Sequence, residues 1–217
     1  MHIRMMTAVF VIYLVPALPG AEPTKEIQFD IPPGWKSERI DLPPSFAPKM
    51  KLHGTEDVRF APGMFQSASD TFFSYMFVFR VQSDPELSHE VIERELLVYY
   101  RGLATAVLKS RDIEVDTTRF ALQLKEVKAA DAQATGAGDL KQYAGDLDWI
   151  EPFVTREPQT LHLEIDAWAN SQSSHNYLFV CVSPQGKKAA IWKTMHERRA
   201  EFVDANPRDA TESVPSR

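Results

Sequence analysis

The sequence predicts an α+β fold, with an antiparallel β-sheet as the middle layer of an α/β/α sandwich. Three observations lead there. Two stretches, "TFFSYMFVFRVQ" at 71–82 and "SHNYLFVCV" at 174–182, are apolar on both alternating faces, so each needs cover on two sides. Two other segments, about 84–111 and 186–205, repeat apolar residues at helical spacing and can supply that cover. The strands of the second half are joined by connections too short for a crossover, which makes them antiparallel neighbours.

Taken in order, the chain begins with one arginine in "MHIRMM", the apolar run "TAVFVIYLVPAL" and the small residues "PGA". This layout predicts a signal peptide over 1–21, since the run is too short to span a bilayer. The expected location is therefore periplasmic or secreted, with no membrane span in the mature chain. A single domain is expected over 22–205, and the tail 206–217, "NPRDATESVPSR", which has no core residue beyond Val214, is expected to be disordered.

Composition narrows the functional classes. With 30 acidic and 24 basic residues the formal charge is −6, and no Lys/Arg cluster offsets it. Neither nucleic acid nor an anionic membrane surface is an expected partner. The single cysteine, Cys181, rules out an internal disulfide, and its place in "YLFVCVS" predicts a buried, inert thiol.

Ile27, Phe29 and Ile31 alternate with polar residues and predict a first strand, stopped by Pro32-Pro33-Gly34. "SERIDL" predicts a second strand, and the prolines up to Pro48 predict extended chain rather than helix. In "TEDVRF" (55–60), Val58 and Phe60 are expected inward, and Asp57 and Arg59 outward as a surface ion pair. "APGM" predicts a β-turn, with Gly63 expected at positive φ.

"SDPE" predicts a helix start with Asp84 as N-cap and Pro85 in the first turn. The expected buried stripe is Ile92, Leu96, Tyr99, Tyr100, Leu103 and Val107. Next come strands around Phe120, Leu122 and Leu124, then Tyr143, Leu147 and Trp149, then Leu161, Leu163 and Ile165. A low-complexity loop, "AADAQATGAGD", separates the first two. The closing helix should bury Ile191, Trp192, Met195, the stem of Arg199 and Phe202.

This order of N-terminal strands, helix, antiparallel strands and C-terminal helix resembles the Mog1/PsbP group, as does the early "PPGWK" with its Gly-Trp turn. The chain is also similar in kind to exported bacterial proteins. The resemblance implies an accessory or assembly role without catalysis, and it assigns no functional residue.

The strongest chemical constellation is an acidic hairpin: Asp146 and Asp148 on one strand, His162, Glu164 and Asp166 on the next. Cross-strand carboxylates with a histidine are a ligand set for a divalent cation, while the same alternation is also what a wet sheet face produces. Trp35, Phe46 and Phe65 lie in turn-rich segments together with Met50 and Met64. They predict either a lid folded onto the sheet or a patch for a partner. No G-x-S-x-G or G-x-x-x-x-G-K motif is present, so no catalytic residue and no cofactor is expected. The favoured expectation is an exported, non-enzymatic accessory or binding domain of the cell envelope with a protein partner there. The alternative is a small metal-dependent hydrolase using the acidic hairpin.

Overall fold

The structure, a computed structural model, describes residues 29–127, 140–170 and 175–206. In chain order its elements are β1 (Lys36–Leu42), β2 (Gly54–Phe60), β3 (Tyr75–Gln82), α1 (His89–Lys109), a 3-10 turn (Thr117–Arg119), β4 (Ala121–Glu126), β5 (Lys141–Ile150), β6 (Pro158–Asn170), β7 (His175–Ser183) and α2 (Ala190–Ala205). The seven strands form one sheet ordered β1-β2-β3-β7-β6-β5-β4, and every neighbouring pair is antiparallel. The expected signal peptide, low-complexity loop and all but the first residue of the tail lie outside the described residues. Among the described residues no helix is long and apolar enough to cross a membrane.

The two doubly apolar strands, β3 and β7, sit side by side near the middle of the sheet. Their side chains divide by parity. Tyr75, Phe77, Phe79, Val81, Leu178, Val180 and Val182 join the cluster beneath α1. Met76, Val78, Tyr177, Phe179 and Cys181 join a smaller cluster beneath α2. One helix therefore covers each face, as the doubly apolar strands require.

Several local expectations are corrected. Residues 29–31 are not a strand: Phe29 turns inward while Ile31, of the same parity, is exposed. β3 starts at Tyr75 rather than near 71, because Phe73 has φ 48° and a bulky residue there interrupts extended chain. Phe73 is held by rings on several sides, with centroids 5.2 Å from Trp149 and 5.7 Å from Tyr75.

The first helix is capped by Ser88, whose Oγ accepts from the Val91 amide at 3.3 Å, so Asp84 and Pro85 precede it. Leu87 and Ile92 are both buried in the same cluster, at the two positions of a hydrophobic staple across the cap. The buried stripe of α1 runs through Ile92, Glu95, Leu96, Tyr99, Tyr100, Ala104 and Leu108, with Leu103 and Val107 only half-buried. Gly102 lies where segment 43–53 crosses the helix. A Cβ there would collide with the Phe46 carbonyl, which is why position 102 carries no side chain.

The turn after β2 forms as expected, with the Met64 amide donating to the Ala61 carbonyl at 3.0 Å. Gly63 does not have positive φ, however. A side chain is excluded because its Cβ would meet the Ser69 and Thr71 hydroxyls. Asp57 and Arg59 do share a face, but both are buried rather than exposed. They lie on the α2 side, where Phe29 covers Arg59: its guanidinium is 4.3 Å above the ring and donates to the Phe29 carbonyl at 2.6 Å.

Candidate functional site

The expected metal residues are on β5 and β6, on the face that α2 crosses. β5 and β6 pair so that Asp146 faces His162, Asp148 faces Thr160, and Asp166 faces Gln142. These facings become bonds. Asp146 Oδ1 meets His162 Nδ1 at 2.6 Å, Asp148 accepts from Thr160 at 2.6 Å, and Asp166 accepts from Gln142 at 3.0 Å.

Glu164 reaches up to α2 and its approach. It accepts from Lys187 at 3.0 Å, lies 2.6 Å from His196 Nε2 and accepts from Arg199 at 3.4 Å. Partial burial alone would raise its carboxyl. The bonds to His196 and Lys187 outweigh that and bring it down to about 2. Arg199 Nε also lies 3.7 Å from Asp166, which is buried under the helix rather than wet. The five residues are thus engaged by one another and by other side chains, with Arg199 shared between Glu164 and Asp166. Among the described residues no group of three or more His, Cys, Asp or Glu side chains is placed to hold a metal ion.

Nucleophilic chemistry finds no support in the same face. Cys181 is fully enclosed between Met76 and Glu164 on the flanking strands, and burial pushes its thiol up to about 12. His162 faces Ser183, not Cys181, which places Asp146, His162 and Ser183 in one row across three strands. The Ser183 hydroxyl, though, is enclosed, pairs with Ser74 Oγ at 2.7 Å and accepts from the Gln185 amide at 3.0 Å. Ser74 in turn donates to the Phe72 carbonyl, so the hydroxyl chain leads away from His162.

The α1 side holds polar groups that sequence reasoning missed. Glu56, paired with Ile40 and Phe79, is wholly buried and accepts from Tyr99 Oη at 3.1 and 3.2 Å. Burial raises its carboxyl to about 8; the Tyr99 bond opposes this, and Glu38 and Asp57 add to it. Next to it the Tyr75 and Tyr100 hydroxyls meet at 2.6 Å. Glu95, also buried, accepts from the Lys51 and Leu52 amides at 2.6 and 3.3 Å and pins segment 43–53 across α1. The only sequence signal for Glu56 is its parity with Val58 and Phe60, which places it on the inner face. For Glu95 it is the α1 stripe, where positions 92, 95, 96 and 99 are consecutive neighbours on one side.

The aromatic candidates divide. Phe46 packs edge-on to Tyr99 at 5.0 Å and belongs to the segment lying over α1; Met50 and Met64 are buried. Trp35 is half-buried against the α2-side cluster. These are lid anchors. Phe65 is different: it is 53% exposed and touches the molecule through Phe153, 5.6 Å away, and Phe60, 6.4 Å away.

From Phe65 a run of rings continues through Phe153 and Phe73 to Trp149. Trp149 lies at a cleft of about 500 Å³ between the chain leaving α1 and the start of β6. Leu108, Ile113, Val115, Phe120 and Ile150 form its apolar wall with Trp149, and Glu114, Asp116, Arg119, Asp148 and Arg156 its charged rim. Nothing in the linear sequence marks this cleft, because its lining joins residues between 108 and 120 to residues between 148 and 158. Comparison of the chain with known protein families, curated protein sequences and solved structures found no match.

Proposed function

We propose that the chain is an exported, non-enzymatic accessory or binding domain of the cell envelope, and that it engages its partner at the cleft over Trp149 and at Phe65. The observation that carries this reading is the contrast in what is left open. The charged side chains of the acidic hairpin are bonded to other protein groups, whereas an apolar cleft and an exposed aromatic ring share one end of the molecule. Such surfaces suit recognition, where an aromatic anchor and a desolvated pocket supply most of the affinity. The order of strands and helices, similar to the Mog1/PsbP group, supports an accessory role, and the layout of residues 1–21 supports export.

The test is capture of partners from a cell-envelope extract by the mature protein, with Phe65→Ser and Val115→Ser, the latter at a half-buried position of the cleft wall, as controls. A partner retained by the parent and lost by both variants is the expected result. Metal analysis of the same preparation separates the alternative. A stoichiometric divalent ion, lost on Glu164→Gln, would replace this reading with a metal-dependent hydrolase. Recovery of the chain with its N-terminus intact from the cytosol would remove export.

A further inference from the structure

Glu56 has no part in the proposed binding surface, yet it is a wholly buried carboxyl that accepts from a tyrosine hydroxyl. It is fully enclosed, and among the described residues no cation forms an ion pair with it. The charged and titratable groups around it are Glu38 on β1, Asp57 next to it on β2, Tyr75 on β3, and Tyr99 and Tyr100 on α1. None of these is a cation. Glu95, one turn before Tyr99, already meets Arg94 at 2.7 Å. Lys49, Lys51 and His53 of the overlying segment are exposed to solvent.

The single donor to Glu56 also holds the lid. Tyr99 donates its hydroxyl to the carboxyl, while its ring carries Phe46 edge-on at 5.0 Å and stacks with Phe77 at 6.2 Å. Phe46 belongs to segment 43–53, which Glu95 ties to α1 through the Lys51 and Leu52 amides. An anion at position 56 would need water, which the packed rings and the segment exclude. Moving Tyr99 to admit water also removes the surface on which Phe46 rests.

We propose that Glu56 is a proton-operated latch: protonated, it keeps segment 43–53 closed over α1, and on losing its proton it lets that segment lift. The reaction is a simple ionisation, with the proton passing to solvent. Burial of the carboxyl sets the operating range in the mildly alkaline region, at about 8. The device is independent of the cleft over Trp149 and does not rest on the binding function.

Two measurements on the mature protein test it. Carbon-13 NMR of the glutamate carboxyls, with Glu56 assigned by its loss in Glu56→Gln, should show one carboxyl titrating several pH units above the others. A Glu56 that titrates with the ordinary glutamates overturns the latch. Hydrogen exchange, corrected for the intrinsic pH dependence, should show the Met50, Lys51 and Leu52 amides losing protection at least tenfold between pH 7 and 9. Glu56→Gln should keep them protected. Protection unchanged in the parent, or lost equally in Glu56→Gln, overturns the proposal. If Glu56→Gln fails to fold, the parent's carboxyl is assigned through its coupling to the Tyr99 ring, and its exchange profile alone decides.

Discussion

The two faces of the sheet bury charge in opposite ways. Beneath α1, Glu56 is enclosed by rings with one hydroxyl for company, and its carboxyl rises to about 8. Beneath α2, Glu164 is surrounded by Lys187, His196 and Arg199, and its carboxyl falls to about 2. Both residues come from strands with alternating patterns, and although the sequence singles out Glu164 as a candidate ligand, it does not distinguish the electrostatic states of the two. The difference lies in what each helix brings down onto its face: α1 presents Tyr99 and Tyr100, α2 presents His196 and Arg199. A carboxylate's state is thus set by the covering layer rather than by its own strand.

The largest expected effect follows from that contrast. Glu56 has a higher pKa folded than unfolded, so its contribution to stability is complete below about 4.5 and is lost as pH rises through about 8. The loss should approach about 5 kcal/mol across that range, since each pH unit between the two values is worth about 1.36 kcal/mol. Glu164 acts in the other direction: its contribution is present above about 4.5 and is lost as pH falls towards 2. Being partly open to solvent, it should be worth only about 1–2 kcal/mol. Chemical unfolding of the parent from pH 3 to 9 should therefore show greatest stability near pH 4–5. In Glu56→Gln the alkaline decline should flatten while the acid limb remains. An unchanged alkaline limb would show that the α1 face does not hold its carboxyl in the way described.

Packing on the two faces can be compared next. Phe77 is wholly buried beneath α1, with ring neighbours Tyr75, Phe79 and Tyr99. Phe77→Ala should cost about 3–5 kcal/mol. On the α2 face, Asp57→Asn should cost about 1–3 kcal/mol, because Asp57 is buried, accepts from Arg39 at 3.2 Å and lies 3.9 Å from Arg59. Arg39→Gln, at the half-exposed end of the same pair, should cost less than about 1 kcal/mol. Denaturant midpoints of the three variants give the order directly. If Asp57→Asn and Arg39→Gln were equally mild, the burial of Asp57 would carry no weight.

What can be read from the sequence divides along the same line. The doubly apolar strands β3 and β7, the sandwich and the stripe of α2 all follow from periodicity, since parity alone fixes which residues share a face. Burial on that face does not follow from parity. Asp57, Arg59 and Asp166 alternate with apolar neighbours as wet residues would, yet they are covered by Phe29 and α2, which are distant in sequence. The start of α1 is read from sequence at Asp84-Pro85, four residues too early, because a local start signal does not show which side chain reaches a helical amide; in the fold Ser88 does. The acidic hairpin is legible as a set of residues on one face. Its dispersal into bonds with Thr160, Gln142 and α2 depends on register and helix placement, and no local pattern encodes them.

The smallest expected stability effect belongs to Phe65, and it sharpens the comparison most for function. Phe46 and Phe65 are equivalent by sequence: each is an aromatic residue in a turn-rich segment. In the fold Phe46 packs onto Tyr99 over α1, while Phe65 keeps half its surface in water beside the rings of Phe60 and Phe153. Phe46→Ala should therefore lower the melting temperature and loosen segment 43–53, since it removes a contact between the segment and the helix. Phe65→Ser should change stability by no more than about 0.5–1 kcal/mol, as substitutions at exposed positions do. Its effect should appear in partner capture, where losing one exposed aromatic anchor typically weakens binding by at least tenfold. A Phe65→Ser protein that melts with the parent and captures the same partner equally well would leave Phe65 as a cover for Phe153. One that melts far below the parent would place Phe65 with Phe46, among the residues that close the core.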